Sequence, residues 1–420
     1  MRVLIIGAGL GGLALAHGLQ TRGIDAAVHD RDPEAAATGG YRVHLDEHAC
    51  AVLRGALAPE HYQALLASSA PPRSARRFSV ADHRLRLLFA DDEDPLAERL
   101  MIGRIPLRRL LARGLGGAVR WGSRYTGHAV AADGTVTAHF ADGSSDHGDL
   151  LVGADGARSR VAEQLAGRRL AALLGVQAVT GRTPLDARTR PLVPGLLTGG
   201  PALAFGPGGI GLFLTVHDPA AGAPIDPSSC TAFPAESEPP ALIWGTMAPD
   251  RAMPDRDQGA APEDLIGTAA ALLGGWHPDL LQLVTAADPG TTAHFAFHAA
   301  DPAADLTPWA AGPATALGDA VHAMPPTGGQ GAATAIRDAG ALAGELAAAA
   351  GGSATIPLAV HRYQRTMAAY AAPAVRMSLG PLGWLNRLAT PIGARASRIG
   401  LPAAATAARL HRRLAGVRGG

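Results

Sequence analysis

Apolar residues fill positions 3–6 and then break into glycines at 7, 9, 11 and 12. Beyond them, apolar positions recur at helical spacing over residues 10–22, Gly23 suits a helix C-terminus, and residues 24–29 read as a second buried strand. This pattern predicts a strand–helix–strand opening. Helices are expected over residues 45–57 and over residues 107–115, the latter behind Pro106, a favoured first-turn residue. Residues 78–89 alternate around Asp82 and His83 and predict a hairpin. Asp133-Gly134 and Asp142-Gly143 mark two turns separating three strands between residues 130 and 152. From residue 170 to 300 the chain is rich in Pro and Gly, with short strands expected at 203–205, 211–216 and 241–245 and a helix at 262–273. A buried strand returns at 314–317, followed by a glycine loop and a helix over 334–350. Gly351-Gly352-Ser353 then leads to a C-terminal helical segment.

Three motifs carry chemistry. Gly7-Ala8-Gly9-Leu10-Gly11-Gly12 fits G-x-G-x-x-G between strand and helix, where glycine permits a tight turn and the helix N-terminus faces a pyrophosphate. Asp30 ends the second strand, the position from which a carboxylate accepts hydrogen bonds from a ribose. A second match to the pattern, residues 206–211, is followed by strand instead of helix and reads as a hairpin loop. The other motifs are Gly153-Ala154-Asp155-Gly156, continuing to Ser159, and Leu317-Gly318-Asp319-Ala320-Val321-His322, continuing through Pro325-Pro326-Thr327-Gly328-Gly329-Gln330-Gly331.

In this order the three motifs resemble the FAD-dependent, single-component aromatic hydroxylases typified by para-hydroxybenzoate hydroxylase. The resemblance is strong over the FAD parts and thin across the middle of the chain. It implies an α/β fold: a Rossmann-like FAD-binding domain of residues 1–70, 101–168 and 301–350, an inserted β-sheet substrate domain of residues 71–100 and 169–300, and a helical segment of residues 351–420. Gly7, Gly9, Leu10 and Gly12 would cradle the FAD pyrophosphate, Asp30 with Arg31 would meet the adenosine ribose, and Arg104 would lie near the diphosphate. Asp155 belongs to the motif linked with both FAD and the nicotinamide nucleotide. Asp319 would bind the ribityl chain, Pro326 and Gly329 would lie against the isoalloxazine, and the amides of Gly331 and Ala332 would meet its pyrimidine edge. Arg42, after the Gly39-Gly40 pair, is expected near the flavin and is the one candidate for a catalytic side chain; a structural ion pair is its alternative. Asp155 and Asp319 could instead be turn aspartates, Arg104 a surface ion pair, and His322 a packed, hydrogen-bonded histidine. Ala333 stands where the family commonly has Asn, and Ala162 where an Arg often follows, which puts those two contacts in doubt.

The activity implied is a monooxygenase with non-covalent FAD, NAD(P)H as co-substrate and O2, acting through a flavin C4a-hydroperoxide on a small, apolar, electron-rich organic substrate of secondary metabolism. An olefin epoxidase or Baeyer–Villiger enzyme shares the cofactor cycle. A flavoprotein cyclase and a non-enzymatic binding protein on the same fold are the alternatives from other classes. A flavin-dependent halogenase relies on an active-site lysine, and none of the 420 residues is lysine.

Composition bounds the rest. A chain of 420 residues is too long for one ordinary core. A formal net charge of +1 gives no reason to expect a nucleic-acid partner. Cys50 and Cys230 form no metal or redox spacing, so no metal is expected and the thiols read as reduced and cytoplasmic. Glycines interrupt the N-terminal apolar run where a signal peptide would be continuous, and no stretch approaches 18 uninterrupted apolar residues, so no transmembrane segment is expected. A monomer or homodimer is expected. No Asp or Glu follows Glu345, whereas ten arginines do. That one-signed segment predicts helices bridging the two domains with arginines facing acids such as the run at 91–94; a surface for a membrane or an anionic partner, with Trp384 on its apolar face, is the alternative.

Overall fold

The structure is a computed structural model and describes residues 1–40, 42–71, 74, 76–92, 98–253, 261–388, 390 and 392. Its first sheet is wholly parallel. Arg2–Ile6 lies at the centre, between Asp25–His29 and Leu150–Gly153, with Val119–Arg120 and Ala314–Ala316 at the edges. Strand side chains alternate between faces, so this one strand feeds two cores. Val3 and Ile5 enter the large cluster with the helices Leu10–Gln20 and Gly331–Ala350. Leu4 and Ile6 pack under an antiparallel sheet of Tyr125–Val130, Val136–Phe140 and Ser145–Gly148. The two helices approach closely because small residues face each other: a Cβ at Gly18 would stand 3.0 Å from that of Ala343.

A second sheet has seven strands, in the order Ala293–Ala300, Ala171–Pro184, Ala241–Pro249, Gly211–His217, Ala202–Phe205, Arg77–Asp82 and Leu87–Asp92. One face buries Leu212, Leu214, Leu242 and Trp244 against the helices Pro262–Leu272 and Pro278–Thr285. The other face carries Leu203, Phe205, Met247 and Phe297. A two-stranded ribbon, Arg42–Leu45 with Leu100–Gly103, completes the strands.

Several expectations shift. Leu45 closes a strand; the helix begins at Glu47, after Asp46 accepts a hydrogen bond from the Ala49 amide at 2.9 Å. The helix placed at 107–115 runs Arg104–Arg113. The strands Ala171–Pro184 and Ala293–Ala300 and the helices Pro59–Ala67 and Pro278–Thr285 were not read from the pattern. Among the described residues the C-terminal segment has one helix, Ile356–Leu388, carrying Pro373 and Pro381 inside it. It buries Val360, Tyr363, Met367 and Ala371 in the core of the parallel sheet, and Leu382 and Leu385 against the seven-stranded one. Among the described residues, no arginine of this helix pairs with Asp91 or Asp92. Asp92 pairs with Arg77 at 2.6 Å, and Arg362 approaches Glu345 at 3.9 Å. Residues 93 and 94 and the arginines at 395, 398, 409, 412, 413 and 418 lie outside the described residues.

A buried network ties the long helix to the loop after the strand Ala314–Ala316. Tyr363 donates to the Ala316 carbonyl at 3.1 Å, and Tyr370 to Asp338 Oδ1 at 2.7 Å. Asp338 Oδ2 accepts from the Gly318 amide at 2.8 Å and from His322 Nε2 at 2.6 Å, both side chains being fully buried. Burial pulls the His322 pKa down, but the charge and hydrogen bond of Asp338, with Asp319 beyond, reverse this and raise it above 6.5. A raised histidine stabilises the fold fully below its unfolded pKa and loses that contribution as pH climbs through the folded value. His322→Gln should therefore cost about 3 kcal/mol at pH 6. That cost should shrink as pH rises, as measured by urea unfolding of both proteins across pH 5.5–9; a cost independent of pH would mean an uncharged histidine.

Candidate active site

The site begins where the strand Arg2–Ile6 ends. Gly7 has φ +114°, and a Cβ there would lie 2.2 Å from the Ala154 carbonyl oxygen. A Cβ at Gly12 would lie 2.0 Å from the Gly7 oxygen. Both positions are glycine because backbone meets backbone. Gly9 differs: a Cβ there would find only the Ala154 oxygen, at 3.9 Å. Open space therefore stands over Gly9, which is also the N-cap of the helix Leu10–Gln20 and gives it no side-chain cap. Unsatisfied first-turn N–H groups beside open space are what a diphosphate requires.

Asp30 is buried and accepts hydrogen bonds from the Ala8 amide at 2.5 Å and the Asp32 amide at 2.8 Å. Arg108, itself buried, donates to Asp30 at 3.1 Å, to Asp32 at 2.7 Å and to the Ala8 carbonyl at 2.8 Å, which ties the helix Arg104–Arg113 to the glycine loop. Sequence reasoning missed Arg108. Its signal was the four-residue spacing from Arg104, which places both on one helix face. Arg31 stands exposed and is not drawn into this group. The Asp155 carboxylate accepts from Ser159 Oγ at 2.5 Å and from the Arg160 amide at 2.8 Å, so it also fastens the start of the helix Arg160–Ala166. Burial raises its pKa, against those hydrogen bonds.

A second group gathers around the loop after Ala314–Ala316. Asp319 remains open to solvent, yet surrounding protein desolvates it enough to raise its pKa, while His322 and Arg104 pull it down. Its Oδ1 lies 3.8 Å from where a Cβ of Gly331 would stand. The side chain of Arg104 crosses Gly40, whose Cβ would meet its Cδ at 2.6 Å. Gly331 opens the 20-residue helix Gly331–Ala350, and Gln330 before it provides no side-chain cap. Pro326–Gly328 is pinned from behind by the long helix: Thr327 Oγ1 donates to the Ser378 carbonyl at 2.5 Å, and a Cβ at Gly328 would strike Ser378 Oγ at the same distance. Gly329 has φ +65°.

The front of that loop, with Pro326 and Gly329, forms one wall of a cavity of about 800 Å³. Leu203, Phe213, Met247, Phe295 and Phe297 of the seven-stranded sheet line the opposite wall, and Arg42 with His44 lines the side. Burial lowers the His44 pKa, so its imidazole is neutral at pH 7. Among the described residues Arg42 forms no ion pair: Nη1 donates to the Val216 carbonyl at 3.1 Å and Nη2 to the Met101 carbonyl at 2.7 Å.

An extended FAD fits these residues. Open space at Gly9 could take a diphosphate, Asp30 follows the adjacent strand, Asp319 offers a carboxylate beside Gly331, and the helix opening at Gly331 has no side-chain cap. A family described as "FAD binding domain" matches residues 1–177 and 281–378. The chain belongs to the FAD-dependent, aromatic hydroxylase-like monooxygenase family. A 3-amino-4-hydroxybenzoate 2-monooxygenase of Streptomyces platensis is 30% identical over 364 residues, 83% of this chain and 80% of that protein. A dual O-methyltransferase/FAD-dependent monooxygenase of Phaeosphaeria nodorum is 30% identical over 389 residues, 81% of this chain but 39% of the relative. The chain spans between 37% and 59% of the length of three curated relatives it matches. Among solved structures, a Photorhabdus luminescens protein described as an FAD containing monooxygenase superposes with TM-score 0.76 at 28% identity, over 91% of this chain and 97% of that one.

Two glycines of the first loop, Gly9 and Gly12, should separate on substitution. Gly9→Val should fold and lose FAD, because its side chain fills the diphosphate position. Gly12→Val should lower the melting temperature of the protein, because backbone blocks it. Circular dichroism and flavin absorbance of both variants check this; an FAD-replete Gly9→Val protein would refute the assignment.

Proposed function

We propose that this chain uses NAD(P)H and O2 to place one oxygen atom on an organic substrate, by hydroxylation or epoxidation. The observation that carries this reading is the continuity of the Pro326–Gln330 loop with the aromatic-lined cavity. A flavin held on that loop has its ring at the cavity wall and its adenosine end at the first glycine loop. Bound FAD supplies the redox chemistry, accepting a hydride from NAD(P)H and activating O2.

The chain's own residues bind, orient and exclude water. Gly9 and the first turn of Leu10–Gln20 hold the diphosphate, Asp30 the adenosine ribose and Asp319 the ribityl hydroxyls. The amides of Gly331 and Ala332, at a helix N-terminus, donate to the pyrimidine edge and stabilise negative charge there. Phe213, Phe295 and Phe297 form a dry face on which a flat substrate packs close to the flavin loop. Their area and the cavity volume suit a multi-ring aromatic, indole or polyene of secondary metabolism.

Turnover is the test. Candidate substrates are screened for stimulated NADH and NADPH oxidation, and the product is analysed by mass spectrometry under ¹⁸O2. One ¹⁸O atom per product is the expected result. An unchanged product mass, or label arriving only from water, would overturn the proposal in favour of a cyclase.

A further inference from the structure

A buried charge cluster adjoins the cavity. Arg42 is 8% exposed, and its two terminal nitrogens are fixed by the uncharged carbonyls of Val216 and Met101. Among the described residues it forms no ion pair, and its Nε finds no acceptor. Behind it, Arg182 Nη1 binds Glu238 Oε1 at 2.5 Å, leaving Arg182 Nη2 buried without a partner. His217 Nε2 donates to the Glu238 carbonyl at 3.0 Å; burial first, then Arg42, lowers its pKa and keeps it neutral. Two guanidinium groups thus face one carboxylate, and the excess positive charge lies under the cavity wall. Desolvation pushes the Arg42 pKa down to about 10, so it is still charged at neutral pH.

Other charged groups reach the cavity, but differently. Glu47 and Asp91 are exposed at its rim, and Asp46 is engaged with the Ala49 amide. Solvent and salt screen rim charges, whereas a buried guanidinium beside an apolar wall keeps most of its field. An uncompensated buried cation is costly, and a ligand anion placed against it relieves that cost.

We propose that Arg42 and Arg182, opposed among the described residues by Glu238, form a charge-selecting site, and that the cavity takes a multi-ring aromatic substrate carrying an anionic group. The acid group lies against Arg42, and the rings lie on Phe213, Phe295 and Phe297. Glu238 sets the strength of the selection. The inference rests on the cavity being the substrate site, as in the monooxygenase reading, and it replaces the purely apolar substrate expected from composition.

The experiment uses the FAD-loaded protein and two fluorescent probes that share one framework: 8-anilinonaphthalene-1-sulfonate and the neutral N-phenyl-1-naphthylamine. The ratio of their affinities is compared among the native chain, Arg42→Met and Glu238→Gln at equal FAD occupancy. The preference for the sulfonate should fall by about tenfold in Arg42→Met and rise in Glu238→Gln. Phe213→Ala should weaken both probes, which locates them in this cavity. A ratio unchanged in both charge variants overturns the proposal, and so does indifference of both probes to Phe213→Ala. Should Arg42→Met fail to fold, Glu238→Gln alone decides by the sign of its change. Binding is read without turnover, so failure here leaves the monooxygenase reading standing, and failure of the labelled-oxygen test leaves the charge selection standing.

Discussion

Backbone touches backbone where the first strand ends, and the rest of the site is placed by that contact. With Gly7 crossing Ala154 and Gly12 crossing Gly7, no Cβ fits at either residue. The helix Leu10–Gln20 therefore starts directly over the parallel sheet and aims its N-terminus past the strand ends. The same closeness continues along the helix, where Gly11 meets Leu317 and Ala335 and Gly18 meets Ala343. These contacts fix the helix Gly331–Ala350, and with it the loop that starts at Gly318, relative to the first glycine loop. The relative placement of the two glycine loops follows from one steric constraint.

Where glycine and acid are forced by close approach, the chain was readable. The opening strand–helix–strand unit, the two Asp-Gly turns and the hairpin around Asp82 are all present in the structure. So is the exclusion of residues 206–211, which turn between two antiparallel strands. Ala171–Pro184 was unreadable because its register shifts between Leu173 and Gln177, around Gly175 at φ +67°, so its alternation changes phase midway. Pro278–Thr285 has eight residues, about two turns, too few for a helical period to stand out. The motif glycines Gly7 and Gly12 stand out in the sequence for the same reason as the fold, because close backbone approach forces them. Arg108, Arg182 and Glu238 do not, because each draws its meaning from a partner more than fifty residues away.

The cavity lies at the junction of two separately built cores. The seven-stranded sheet supplies the aromatic wall, the parallel sheet's last loop supplies the opposing wall, and the ribbon Arg42–Leu45 closes the side with a cation. The helix Ile356–Leu388 holds the arrangement, with one end in each hydrophobic cluster and Ser378 against the Pro326–Gly328 loop between them. Its Arg residues balance little of their charge on the described acids, since its one ion pair among the described residues is that of Arg362 with Glu345. Packing, through Tyr363, Met367, Leu382 and Leu385, holds this helix in place.

The central claim is that one extended FAD joins the glycine loop at Gly9 to the cavity wall at Pro326–Ala332. A crystal structure of the FAD-loaded protein tests it most directly. The account predicts the diphosphate over Gly9 and the first turn of Leu10–Gln20, and the isoalloxazine edge on the amides of Gly331 and Ala332 with its ring facing Phe213 and Phe297. A diphosphate away from Gly9, or a flavin ring outside the cavity, would contradict it.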